Sequence, residues 1–253
     1  MSNRDPWGEL PSPALRCLYR PQAARDWALT IEPMVFSPGY WGAARLVEEL
    51  VVLRRGNDVW ISLAPLELES EAIGIAAASG HVVVMGLGLG WAAAECALRS
   101  EVEAVTVIEA DPAVIALHQD LNLFARLPDR CGDKVRIVSD DAMTWQADRP
   151  VDVMMADIWL PLIGDSDRAA EVRQMQANVA ARAVYFWGQE LELARQAVAQ
   201  GLAIDAAGIA AVAEGWGLPL VGPQMPDYAT RTRAAAKAWM RGRWLPGTEN
   251  PFA

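Results

Sequence analysis

The stretch His81 to Trp91, HVVVMGLGLGW, constrains this chain more than any other. It reads as a buried strand that stops in alternate glycines, Gly86, Gly88 and Gly90, and the helical pattern WAAAECALRS follows at once. A second apolar run, Val102 to Asp111 (VEAVTVIEAD), brings an acid, Glu109, to its end. Strand, glycine turn, helix, strand, acid is the order of the nucleotide-binding half of a doubly wound α/β sheet. Glycine has no Cβ, so the chain can turn tightly and a ligand can approach the backbone. The helix opening beside Gly90 presents unpaired N–H groups and the positive end of its dipole. A carboxylate at the tip of the next strand can accept both hydroxyls of a ribose. Together these features imply an adenosine-containing ligand.

The glycine spacing selects among such ligands. A dinucleotide fingerprint, GxGxxG, needs glycine at position 91, where this chain has Trp91. A bulky side chain where helix and strand should pack closely argues against a bound pyrophosphate. The GxGxG pattern with Glu109 closing the second strand favours S-adenosyl-L-methionine, with a nicotinamide dinucleotide as the alternative.

Alternation of strands and helices continues downstream, which implies a parallel sheet with right-handed crossovers. Strands are predicted at His81–Gly86, Val102–Glu109, Lys134–Ser139, Val151–Ile158 and Ala183–Trp187. Asp111-Pro112 opens a helix, with Asp as cap and Pro at the first helical position. A further helix is predicted from about Asp165 to Arg182. Upstream, LVEELVVLRR, Gly56-Asn57 and DVWISL form a predicted hairpin over Leu46–Leu63, followed by a helix over Leu66–Ser79 that stops before Gly80. Residues 1–45, rich in Pro, Trp and Gly, read as an irregular arm able to cover a second subunit in a homodimer. The last third is Ala-rich and helical, ending in a helix over Asp227–Arg241. The expected division is residues 1–79 (arm, hairpin, lead-in helix) and 80–253 (Rossmann-like domain with a helical extension).

Composition narrows the function classes. A net charge of -10 disfavours a broad nucleic-acid surface and suits a neutral or cationic small-molecule substrate. The basic run Arg231–Arg243 reads as a solvated helix face. No apolar run approaches the ~20 residues of a membrane span, and the N-terminus lacks the pattern of a secretion signal. Cys17, Cys96 and Cys131 are scattered, without CxxC or a neighbouring His, so a cytoplasmic protein with free thiols and no metal site is expected. His81 opens its strand away from the ligand end, and His118 reads as a surface or packing residue.

Ligands in such sheets sit outside the carboxyl ends of the strands. Two more acids fall there. Asp141, with Ala142 after it in SDDAMTW, is placed to accept from an adenine amino group; the alternative is that Asp140 or Asp141 caps the short helix expected to follow. Asp157 ends a wholly apolar strand in MMADIW; it either caps a turn or faces the reacting group as its base.

GLGLG, VIEADPAVI, SDDA and ADIW, in that order, resemble the class I S-adenosylmethionine-dependent methyltransferases, and within them the spermidine synthases and their relatives, over Leu46 to Trp187. The resemblance implies a cofactor held by Gly86, Gly88, Gly90, Glu109, Asp141 and Ala142, with Asp157 as the catalytic residue. It also marks two departures. Spermidine synthases carry an Asp at the position of Leu89 and another at that of Leu160, where they hold ammonium groups. Their loss, with no replacement evident along the chain, points to methyl rather than aminopropyl transfer, or to a non-catalytic binding or assembly protein.

Overall fold

The protein, described here over residues 13–252 of a computed structural model, is built on two sheets. The larger is parallel and five-stranded. Its strands are β5 (Gly80–Met85), β6 (Val102–Glu109), β7 (Val135–Ser139), β8 (Val153–Ala156) and β9 (Ala183–Phe186), in the order β7-β6-β5-β8-β9. The chain therefore runs outward from β5 through β6 to β7, then returns to the other side of β5 for β8 and β9. That reversal is the switch point of a doubly wound, Rossmann-like α/β fold, and it opens a crevice between the ends of β5 and β8. All four residues of β8 and five of the six in β5 are buried, as expected for strands covered on both faces. The β8 strand is shorter than the predicted Val151–Ile158, by two residues at each end.

The smaller sheet is antiparallel, ordered β1-β2-β3-β4, from Gln22–Ala24, Trp27–Ser37, Arg45–Arg55 and Asp58–Ser62. It corrects the expectation of an irregular arm before residue 45; residues 1–12 of that arm lie outside the described part. The sequence hid β2 because Pro33 interrupts its alternation. Proline lacks the N–H a ladder needs, and the pairing steps over it: Glu32 faces Leu50, Met34 faces Glu48, and Glu49 between them takes φ +51°. The β3–β4 hairpin turns at Gly56-Asn57 as predicted.

After the short α1 (Pro13–Arg16) that precedes the small sheet, helix α2 (Pro65–Ala77) joins the two sheets. It ends at Ala78 in extended backbone, not at Gly80, which already belongs to β5. Its approach to the large sheet is close: a Cβ on Gly74 would stand 2.7 Å from the Tyr185 ring and 2.8 Å from the Met155 methyl. Helices α3 (Trp91–Leu98) and α4 (Pro112–Leu121) follow β5 and β6. Helix α5 (Arg168–Val179) begins three residues later than predicted, capped by Asp167, which accepts from Ala170 N at 3.0 Å. Beyond β9, α6 (Gln189–Ala199), α7 (Ala206–Trp216) and α8 (Tyr228–Trp239) form the helical extension; between them Leu220 makes a single parallel bridge to Val184. In the basic run, Thr232, Ala235, Ala236 and Met240 are buried while Arg233, Lys237, Arg241 and Arg243 face outward. No helix among the described residues is long and apolar enough to cross a membrane.

Candidate active site

A cavity of about 500 Å³ lies at the carboxyl ends of the central strands. Its floor holds Gly86 and Gly88 from the loop after β5, Glu109 at the end of β6, Asp141 and Ala142 after β7, and Asp157 after β8. Its roof is the small sheet, through Trp27, Leu53, Arg55 and Trp60. The two layers are fastened by Asp111: Oδ1 accepts from Ala113 N at 2.8 Å, capping α4, and Oδ2 accepts from the Trp27 indole at 2.8 Å. The cap was legible in the sequence; the tie to the roof was not.

Glu109 is held by backbone donors. Oε2 accepts from Leu87 N at 3.0 Å and Oε1 from Asp111 N at 2.7 Å. A carboxylate offers about four acceptor positions, so each oxygen retains one for a ligand in the cavity. Asp141 Oδ1 accepts from Met143 N at 2.8 Å, and Asp140 Oδ1 from Asp141 N at 2.7 Å. Both acids thus shape a turn, which corrects the expected short helix after them, and Asp141 still lines the cavity.

Asp157 stands where the two sides of the sheet part. Its N–H continues the ladder to Met85 O at 2.9 Å, and a Cβ on Gly86 would meet its carbonyl oxygen at 2.2 Å. Only glycine, here with φ +99°, lets the two strand ends come that close. The carboxyl group caps no helix, since the next one begins at Arg168. Burial raises its pKa to about 7, against the opposing pull of the Arg168 guanidinium.

Gly90 is absent from the large cavity and lines a smaller inner one, of about 40 Å³, between the glycine loop and α2. The loop is gripped from behind by two side chains. Tyr19 donates to Leu89 O at 3.0 Å, and the ring of His118 bonds Gly88 O at 2.9 Å through Nε2. The carbonyl requires that Nε2 carry the proton; burial holds the ring pKa at about 4, so His118 is neutral at pH 7. His118 is buried and stacked on Phe124, a support for the loop and no surface residue. Reading the sequence missed both Tyr19 and His118, which lie 70 and 30 residues from their partners. Gly90 has φ +71°, and its Cβ would stand 2.5 Å from His118 Cε1. Gly90→Ala is therefore expected to lower stability by about 1–3 kcal/mol, from left-handed backbone and the clash. In a thermal-denaturation cycle with His118→Ala, part of that loss should be recovered in the double variant; strict additivity would remove the clash from the account.

Two further acids were not visible as site residues. Glu67 and Glu71, one turn apart on α2, line the inner cavity with Asp157. Burial, then the Asp157 charge, pushes both well above the usual carboxylate range. Both stand on a helix that precedes the glycine loop. Leu89 is buried and Leu160 is exposed. The tryptophans Trp159 and Trp187 flank Arg168, whose guanidinium carbon lies 4.8 and 5.5 Å from their ring centres. Among the described residues no group of three or more His, Cys, Asp or Glu is arranged to hold a metal ion.

No protein-family model matches the chain, and no curated protein does. Solved structures that match over part of it include the DhpI–SAH complex, with 21% identity, 43% of this chain and 47% of that one covered, and a TM-score of 0.31. A second is the glycopeptide N-methyltransferase MtfA complexed with S-adenosyl-L-homocysteine, at 19% identity, 40% and 39% coverage and a TM-score of 0.33. A third is SAM-bound CalS10, an amino pentose methyltransferase from Micromonospora echinaspora, at 22%, 40% and 39%, and 0.30. The chain spans less than half the length of each.

Proposed function

We propose that this chain binds S-adenosyl-L-methionine in the large cavity and transfers a methyl group to a small-molecule acceptor. The observation that carries the reading is Glu109: a carboxylate fixed by two backbone N–H groups, its remaining acceptor positions beside a glycine loop at the switch point of the sheet. The residues fit the ligand. The cavity volume suits a nucleoside-sized molecule, Gly86 and Gly88 add no side chain to its floor, and Asp141 and Ala142 line the end where an adenine would lie. Bound S-adenosyl-L-methionine supplies an electrophilic methyl group on a sulfonium, which needs no acid on leaving.

The work left to the protein is positioning, with a base where the acceptor carries a proton. Glu109 orients the ribose, Asp141 the base, and the loop N–H groups the remainder. Asp157, between the glycine loop and the inner cavity, takes the acceptor's proton. The acids of an aminopropyl transferase are missing at Leu89 and Leu160, and methyl transfer is the reading retained.

Calorimetric titration with S-adenosylhomocysteine tests it. Binding is expected, and Glu109→Ala should weaken it by about 1.5–3 kcal/mol, the loss of a charge-assisted hydrogen-bonding group. No binding to the unaltered protein would end the cofactor assignment, and tighter binding of a reduced nicotinamide dinucleotide would replace it. Equal affinity in protein and variant would remove only the role given to Glu109.

A further inference from the structure

We infer that the inner cavity behind the glycine loop is a binding site for an alkylammonium head group, held by Glu67 and Glu71 of α2 together with Asp157. It deepens the functional reading above and rests on it only for what occupies the large cavity next door. Three carboxyl groups share walls that are otherwise apolar, among them Leu87, Leu89, Trp91 and Met155. Glu71 is 4% exposed and lines the cavity, yet its Oε1 has no hydrogen-bond partner. A buried acceptor left without a donor is costly, and the cost is removed when a ligand brings the donor. Three acids lining one cavity repel one another as anions, and each favours a cation beside it. An ammonium group carries three N–H donors and one positive charge, which answers both demands.

The size of the cavity limits the ligand. A water needs about 10–15 Å³ of such space, so about 40 Å³ admits one small head group and excludes a ring. Gly86, Gly88 and Asp157 line both cavities, so the two are immediate neighbours. The close approach of α2, made possible by Gly74, brings both glutamates within reach of Asp157. Glu190 of α6 stands behind Glu71 and adds to its negative surroundings, while Arg168 faces Asp157. The ammonium has two possible sources: the amino group of the cofactor's own amino-acid tail, or a separate amine acceptor.

Titrations of the full chain at about pH 8 separate them. The probes are methylthioadenosine, which lacks the tail, S-adenosylhomocysteine, which has it, and propylamine, with 1-propanol as its uncharged counterpart. Glu67→Gln and Glu71→Gln keep shape, and unchanged methylthioadenosine affinity and melting show that each variant is folded. If the head group is the cofactor's, Glu71→Gln weakens S-adenosylhomocysteine by about 10- to 100-fold, the worth of a charge-assisted hydrogen bond. If it belongs to an acceptor, propylamine but not propanol binds the methylthioadenosine complex, and the same variants weaken it by a similar factor. Either result supports the site. Both adenosyl ligands binding with no effect of either variant, and no propylamine binding, would overturn it while leaving the cofactor reading intact. No adenosyl ligand binding at all would sink that reading, and propylamine alone would then decide the ammonium site.

Discussion

Asp157→Asn should slow methyl transfer to an amine or hydroxyl acceptor by about 10²–10⁴, the usual contribution of a general base. The amide is nearly isosteric, so affinity for S-adenosylhomocysteine should persist, and release of that product is the measurement. The pH dependence follows from burial. With a pKa raised to about 7, Asp157 acts as a base only when ionised, so the rate should climb as pH rises through about 7 and level off above it. Stability has the opposite sign. A carboxyl group whose folded pKa is raised above the unfolded value, near 4, contributes stability below that value and loses it as pH rises through about 7. The asparagine variant should therefore melt at or above the parent at about pH 8. A melting point lowered at that pH, with transfer unchanged, would make Asp157 a structural residue and remove its catalytic role.

The second large effect is expected at Arg168, which is 1% exposed. Its guanidinium donates to Leu162 O at 2.9 Å, to Trp187 O at 3.0 Å and to Pro161 O, and so pins the loop after Asp157 to the end of β9. Around it, Trp159 and Trp187 supply ring faces to the cation. Arg168→Ala leaves three carbonyls short of a donor in a buried place, and a loss of about 3–5 kcal/mol is expected. For a chain of this size that lowers the melting temperature by roughly 10 °C. Arg168→Lys should recover only part, because an ammonium cannot reproduce the planar fork. Arg168 also favours the ionised form of Asp157. Its loss should move the midpoint of the pH–rate profile upward in whatever fraction stays folded. A melting point within a degree or two of the parent would show that the loop holds itself.

Much of the α/β core was legible because its signals are local. The apolar runs of β5 and β6, the alternate glycines between them and the Asp111-Pro112 helix start each lie within about a dozen residues, and short-range periodicity and capping chemistry suffice to read them. Glu109 and Asp157 were legible as strand-end acids for the same reason. The strand β2 was not, because Pro33 and the irregular pairing at Glu49 erase the period-2 pattern that marks a strand.

What tertiary structure alone decided is which distant residues meet. Trp27 reaches Asp111, Tyr19 and His118 grip the glycine loop, and Glu67 and Glu71 come to stand beside Asp157. In the sequence, LELESEAIG reads only as part of a helix with apolar residues at helical spacing. Gly74, packed against Tyr185 and Met155, draws that helix onto the sheet and turns Glu71 into a buried group with an unused oxygen. The apolar strands and the glycine turn could be read from neighbours along the chain, and with them the doubly wound sheet. Which acids line the inner cavity beside Asp157 depended on close packing between elements about 90 residues apart, which no local pattern records.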